Sequence, residues 1–496
     1  MKTFKICYVS SEVAPFVSTD AAGGLADTCN ALPIALKNMD QDVRLMMPKY
    51  KSINERKYVL REVIRLREVK VDIENDTKMA SGKTAFLPDS KVHVYFLSVP
   101  EYFDRKGFYS DPQTGKAYAD NAERFAFFCK AILETLKLLF WQPDIIHCND
   151  WATALIPFYL KTHYQDDDFF KNTHTLLTVH NFSDQGIFPP ASAAKIGVPK
   201  EYLAPGKELE LDGKMNLLKG GLHFADVITT MSESAAKMVL ADPKATFGLH
   251  PTLISREKDL AGILNGIDYS VWNPETDPNL AENYDAKTPA NKNSNKKALC
   301  KELNLEYDSS TPLTALISPL NEENGLGLVL DSIKNLLKLN TRFMILGSGE
   351  SRYAAELKKL AGQHPDKLVF QERVDTRLTH LAVAGADIIL IPVKMESRDI
   401  YLMEGMRYGT IPVVHATGSF REIVSPFDSE IGKGNGFTFT DFKKSAMMDA
   451  LQKALEVFEE RKAWAKIQKN AMRSDLSWEN SAKKYLKLYE KATKKK

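Results

Sequence analysis

The sequence predicts two doubly wound α/β domains in series, and three observations carry that expectation. The chain has 496 residues, beyond the size at which a single hydrophobic core keeps growing. Short apolar runs alternate with segments whose apolar residues recur every three or four positions, and the alternation restarts after Asn265-Gly266. Finally, Ile388–Ile391 is a wholly apolar run ending at Pro392, followed by Glu396 and a helix-like segment over Asp399–Tyr408. A carboxylate just beyond a buried parallel strand lies where open α/β sheets bind their ligands.

Taken in order, Phe4–Val9 reads as a first strand and Gly23-Gly24-Leu25 opens a helix running to Lys37. Asp42–Met47, Val92–Leu97, Ile145–Cys148 and Leu176–His180 read as further strands, with a helix over Asn121–Leu139. Residues 1–265 therefore form the first expected domain. The polar stretch Glu275–Ser309, rich in Asn, Lys and Asp, reads as an inter-domain connection. Leu313–Ser318, Arg342–Leu346, Leu368–Gln371, Ile388–Ile391 and Ile411–Val414 are the strands of a second domain over 266–475, interleaved with helices such as Leu326–Leu337 and Tyr353–Gln363. A last helix, Trp478–Lys491, occupies 476–496.

Composition narrows the function classes. The 66 basic and 64 acidic residues leave a net charge of +2, which gives no electrostatic footprint for nucleic acid. No run approaches the roughly 20 apolar residues of a membrane span, and the N-terminus lacks the apolar core of a signal peptide. The five cysteines show no CxxC spacing and read as reduced, buried thiols. A cytoplasmic protein without nucleic-acid or membrane partners is expected. Asp166-Asp167-Asp168 reads as a solvated surface run rather than a metal site.

Several strings punctuate the element ends. Ser11-Glu12-Val13-Ala14-Pro15-Phe16 and Ala21-Ala22-Gly23-Gly24-Leu25-Ala26-Asp27 flank the first strand–helix turn, where glycines let backbone N–H groups approach an anion. Asp144-Ile145-Ile146-His147-Cys148-Asn149-Asp150-Trp151 ends a strand in a carboxylate and an aromatic ring, with His147 inside the strand as a packed residue. Thr178-Val179-His180-Asn181-Phe182-Ser183-Asp184-Gln185-Gly186 follows the next strand. Further on come Gly262-Ile263-Leu264-Asn265-Gly266-Ile267-Asp268 with Trp272-Asn273-Pro274, then Ser318-Pro319-Leu320-Asn321-Glu322-Glu323-Asn324-Gly325-Leu326. Leu346-Gly347-Ser348-Gly349-Glu350, Thr417-Gly418-Ser419 and Ser477-Trp478-Glu479-Asn480-Ser481-Ala482 complete the set.

Together these strings resemble the glycogen and starch synthases, retaining glucosyltransferases of the GT-B class, over nearly the whole chain. The resemblance implies a GT-B fold, two doubly wound Rossmann-like domains facing a central cleft, with the final helix crossing back to the first. It implies transfer of glucose from ADP-glucose to the non-reducing end of an α-1,4-glucan with retention, without a cofactor or a metal. Glu396, His180 and Asp150 are the implied catalytic residues. Gly23, Gly24, Asn265, Gly347, Gly349 and Gly418 are implied at the donor, with Lys394 and Arg398 as the cations flanking Glu396.

The departures from the family pattern fall mostly on one function. Ala21, Pro319 and Asn324 stand where the family has the Lys, Arg and Lys that grip the donor pyrophosphate, and Asp399 adds a negative charge beside them. Loss of the Arg and Lys pair alone corresponds to about 3–6 kcal/mol of charge-assisted hydrogen bonding. Asn149 replaces a family histidine, Asp184 a tyrosine, and Ser397 to Leu402 the rest of the donor loop. Three readings therefore stand: an active synthase, an impaired synthase-like protein that binds glucan or a partner, and a related transferase with another donor. The sequence does not choose between ADP and UDP, or between monomer and homo-oligomer.

Overall fold

The computed structural model describes residues 2–19, 24–73, 76–394 and 401–495. The chain divides into two units, Met1–Asn265 with Trp478–Lys496, and Gly266–Ser477.

The strands of the first unit are β1 (Lys5–Val9), β2 (Asp42–Pro48), β3 (Arg61–Glu62), β4 (Val69–Ile73), β5 (Asp76–Phe86), β6 (His93–Ser98), β7 (Ile145–Asn149) and β8 (His174–Val179). A small separate ribbon holds β9 (Ile187–Phe188), β10 (Glu210–Leu211) and β11 (Lys214–Asn216), and the chain then returns to the main sheet with β12 (Val227–Thr230) and β13 (Leu260–Gly262). The main sheet runs β13-β12-β8-β7-β1-β2-β6-β5-β3, with β4 paired to β5. From β13 to β6 every pairing is parallel, while β5 runs antiparallel to β6, β3 and β4. All of β7 and all but the first residue of β1 and β8 are buried. Near-continuous apolar strands are what a sheet covered on both faces requires. The antiparallel β3–β5 edge escapes a reading by apolar runs, because β4 alternates buried and exposed residues and β3 is exposed throughout.

The terminal helix Trp478–Ala492 packs on this first unit. Tyr489 and Tyr485 close over His147 in β7, and the Tyr489 hydroxyl lies 2.8 Å from His147 Nδ1. Thr178 Oγ1 sits 2.7 Å from the other ring nitrogen. Fully buried between hydroxyls, His147 is a packing residue, and burial drives its pKa well below the usual histidine range.

The second unit holds β14 (Leu313–Ile317), β15 (Arg342–Leu346), β16 (Leu368–Gln371), β17 (Ile388–Ile391), β18 (Ile411–His415) and β19 (Phe437–Phe439). They form one parallel sheet in the order β16-β15-β14-β17-β18-β19. The stretch expected to be a connection, Glu275–Ser309, is instead part of this unit. It contains the helix Lys292–Glu302, which packs on the helix Thr376–Gly385 through Leu299, so closely that a Cβ on Gly385 would meet Leu299 Cδ2 at 2.7 Å. Its polar composition misleads because Lys292 and Lys296 are buried and hydrogen-bonded to carbonyl oxygens.

The parallel part of each sheet reverses its strand order once. In the first unit the reversal falls between β1 and β7, and in the second between β14 and β17. The carboxyl ends of strands at such a switch point open the crevice in which α/β sheets bind ligands.

Candidate active site

At the first reversal, Asn149 closes the end of β7 and ties three elements together. Its Nδ2 donates to Val9 O at the end of β1 (2.9 Å), which fixes Oδ1 as the acceptor. Oδ1 then receives the Tyr8 hydroxyl at 3.3 Å and faces His180 Nε2 at 3.0 Å. His180 must therefore carry its proton on Nε2 when neutral, leaving the lone pair on Nδ1. Asn149 does by a fixed acceptor what a second histidine would do only in one tautomer.

Asp150 follows with φ of +55°, a conformation costing about 1–3 kcal/mol for a residue with a Cβ. Hydrogen bonds toward β8 and the residue after it help to hold it there. Its N–H donates to Thr178 O (2.9 Å), and its Oδ1 accepts the backbone N–H of His180 at 2.7 Å. The structure thus brings two sequence-predicted residues, Asp150 and His180, to one point at the ends of β7 and β8. Trp151 packs beneath the next turn: Gly186 has φ of +62°, and a Cβ there would lie 2.4 Å from Trp151 Cε3. That close approach explains the glycine ending the Thr178–Gly186 string.

The loop after β1 is organised by Glu12, which the sequence offered only as part of a motif. Buried, it accepts the Thr19 N–H (2.8 Å), the Thr19 hydroxyl (3.0 Å) and the Tyr109 hydroxyl (2.8 Å). It thereby fixes the chain at Thr19. Gly24 caps the helix Leu25–Asn38, and Asn265 Nδ2 donates to Thr28 Oγ1 on that helix at 2.8 Å. Gly23 and Ala21 lie outside the described residues.

At the second reversal the loops are joined mainly by backbone. Leu320 bridges to Gly349, with Leu320 N–H on Ser348 O (2.9 Å) and Glu350 N–H on Leu320 O (2.8 Å). Gly347 turns so closely that a Cβ would sit 2.0 Å from Ser318 O. Lys394 N–H donates to Glu323 O (2.8 Å), linking the β17 loop to the β14 loop, while its side chain is exposed. His415, ending β18, lies with Nδ1 2.8 Å from Val393 O, and Gly418 occupies the turn that follows. Gly347, Gly349, Lys394 and Gly418 are thus all on loops at the carboxyl edge of this sheet. Glu396, Arg398 and Asp399 lie outside the described residues.

Of the positions where the family's cations are missing, Asn324 turns inward. Asn324 is buried and its Nδ2 donates to Pro319 O at 3.1 Å, while its Oδ1 has no partner among the described residues. Glu322 accepts the Tyr353 hydroxyl at 2.5 Å. A further group escaped the sequence reading: Glu404, on the short helix Leu402–Arg407 after the donor loop, has its carboxyl pushed by burial up to about 7. An acid inside the apolar run Leu402-Met403-Glu404-Gly405-Met406 was the available signal.

Known proteins bear on this arrangement. Residues 5–255 match the starch synthase catalytic domain family and residues 304–471 the glycosyl transferases group 1 family. Glycogen synthase of Chlorobaculum parvum is 37% identical over 488 residues, 98% of each chain. That of Desulforudis audaxviator is 37% identical over 512 residues, covering 100% of this chain and 97% of its own. Among solved structures, the catalytic domain of starch synthase IV from Arabidopsis thaliana, bound to ADP and acarbose, superposes over 100% of both chains with TM-score 0.81 and 28% identity. Sucrose-phosphate synthase from Thermosynechococcus elongatus shares the fold at TM-score 0.56 and 14% identity over 98% of both chains. With two Rossmann-like units of the GT-B type and full-length likeness to these enzymes, the chain belongs to the glycogen and starch synthase family.

Proposed function

We propose that this protein transfers glucose from ADP-glucose to the non-reducing end of an α-1,4-glucan with retention of configuration. The observation that carries the reading is the junction of Asp150 and His180 at the β1/β7 reversal, held by Asn149. In this reading His180 contacts the transferred glucose, and Asp150 acts by holding the His180 backbone and by accepting a sugar hydroxyl. Asn149 is a positioning residue, since it fixes the tautomer and tilt of the His180 ring. Glu396 supplies a carboxylate from the second unit. The glycine turn at Gly23-Gly24 and the loops bearing Gly347, Gly349 and Gly418 admit the nucleotide diphosphate by close backbone approach. Lys394 and Arg398 provide the positive charge that Ala21, Pro319 and Asn324 do not.

The solved relative was captured with ADP and acarbose, which supports an adenine nucleotide and a glucan-like acceptor. No helix among the described residues is long and apolar enough to cross a membrane. The five free, buried cysteines fit the reducing cytoplasm in which the reaction is placed.

A second reading, glucan binding with little turnover, is favoured by one observation: Asn324 spends its amide on Pro319 O where a phosphate-gripping cation is expected. Primed glucan elongation with labelled ADP-glucose, run beside UDP-glucose, decides between them. Chain growth from ADP-glucose is expected. No growth from either donor, with glucan binding retained, would favour the second reading, and growth from UDP-glucose alone would replace the donor.

A further inference from the structure

A cavity of about 250 Å³ lies in the second unit, among the helix Lys292–Glu302, the residue before β17 and the junction of the helices Lys444–Glu459 and Arg461–Met472. It sits at the amino end of the sheet. Asp387, on its floor, immediately precedes β17 and accepts the N–H of Leu313, the first residue of β14, at 2.8 Å. The loops of the candidate active site leave the opposite, carboxyl ends of these strands.

The chemistry of the lining is one-sided. Lys292, Lys296 and Arg461 bring three cations and Asp387 one carboxylate. Asp387 pairs with Lys296 at 2.8 Å. Neither Lys292 nor Arg461 has a carboxylate within ion-pair distance among the described residues. Lys292 is buried, with its ammonium donating to Thr410 Oγ1 (2.6 Å) and Ala384 O (2.5 Å). Lys296, also buried, donates to Thr311 O (2.6 Å) in addition to Asp387, which leaves a third N–H. Arg461 is exposed and spends one nitrogen on Ser309 O at 3.2 Å. Two rings form part of the remaining wall, beside small and polar residues such as Ala465, Ser309 and Gln468: Phe458 and Trp464 pack edge to face with ring centroids 5.0 Å apart, and the Arg461 guanidinium lies 4.9 Å from the Phe458 ring.

We propose that this cavity is a binding site for a small anion with a flat apolar body, such as an aromatic carboxylate. Once Asp387 has taken Lys296, Lys292 and Arg461 are the charges that the lining leaves without a carboxylate, so the ligand is an anion. The carboxylate meets the free N–H groups of Arg461 and Lys296, and the apolar body lies against Phe458 and Trp464. The volume falls below the roughly 300–1,000 Å³ of sites for drug-sized ligands, so the ligand is small. Burial pushes the Lys292 ammonium down to about 7, opposed by Asp387 and reinforced by Lys296. An anion in the cavity relieves that cost.

The probe is 4-fluorobenzoate, followed by fluorine NMR with the full chain, and 4-fluorobenzamide is its neutral match. Saturable binding of the carboxylate is expected, about tenfold or more tighter than the amide. Arg461→Gln, at an exposed position that does not threaten the fold, weakens the carboxylate by about tenfold and leaves the amide unchanged. Trp464→Leu weakens both probes. Equal binding of carboxylate and amide, carboxylate binding that ignores Arg461→Gln, or no saturable binding at all would each overturn the proposal.

Discussion

The crevices at the two sheet reversals share a topology but are held by opposite means. At β1/β7 the strand ends are joined by side chains: Asn149 to Val9, Tyr8 and His180, and Asp150 to the His180 backbone. Around β14 they are joined by backbone: Leu320 with Gly349 after β15, and Glu323 with Lys394 after β17. Removing a side chain from the first crevice removes part of its framework. Replacing side chains in the second is expected to leave these backbone contacts in place and to change its charge. That contrast also explains how Pro319 and Asn324 are accommodated without disturbing the loop: the proline needs no N–H there, and the asparagine amide satisfies the Pro319 carbonyl.

The contrast is sharpened most by restoring charge to the second crevice. Pro319→Arg with Asn324→Lys is expected to lower the KM for ADP-glucose by about 10²–10⁴-fold, from the two charge-assisted contacts regained. Steady-state kinetics read this directly, and an unchanged KM would mean that the backbone has placed the phosphates elsewhere. In the first crevice, His180→Ala is expected to reduce kcat by about 10²–10³-fold while ADP affinity changes little, as for loss of one oriented polar group at the reacting centre. A fall in ADP affinity with kcat preserved would assign His180 to the nucleotide instead.

The two units also answer pH with opposite signs. Glu404 has its folded pKa raised from 4.5 to about 7, so the folded state holds an extra proton between those values. Its contribution to stability is present at low pH and is lost as pH rises through 7. His147 has its folded pKa lowered, so it weakens the first unit as pH falls below the ordinary histidine value near 6.5. Glu404→Gln is expected to stabilise the protein at pH 8 by up to about 3 kcal/mol and to have little effect at pH 4.5. Because Glu404 keeps some exposed surface, that figure is an upper bound. Thermal unfolding of both chains at the two pH values checks it. The smallest expected effect is that of Asn149→Ala, about 1–3 kcal/mol in urea unfolding, from the buried partners left at Tyr8 and Val9. Loss of kcat beyond that of His180→Ala would show that Asn149 acts on more than the His180 ring.

Much of this was legible in the chain. The strands that build both reversals are short apolar runs, and their alternation with helices states the fold class. Asp150 and His180 were legible because each ends such a run within a long family string. What was not legible depends on partners distant in sequence. Asn149 reads as a substitution until Val9 and Tyr8 are seen beside it, and Glu12 reads as a motif letter until Thr19 and Tyr109 are placed on it. Lys292 and Lys296 read as a solvated linker, since nothing local announces carbonyl oxygens waiting at Ala384 and Thr311. Apolar periodicity reports which face of an element is covered; it does not report which polar atom answers another.

We propose that the second crevice grips phosphate only weakly, with Lys394 and Arg398 carrying what remains. Calorimetric titration of the unmodified protein with ADP tests it most directly. A dissociation constant well above micromolar is expected, falling steeply in the Pro319→Arg, Asn324→Lys chain. Micromolar or tighter binding by the unmodified protein, undiminished when Lys394 and Arg398 are both replaced by Ala, would contradict it.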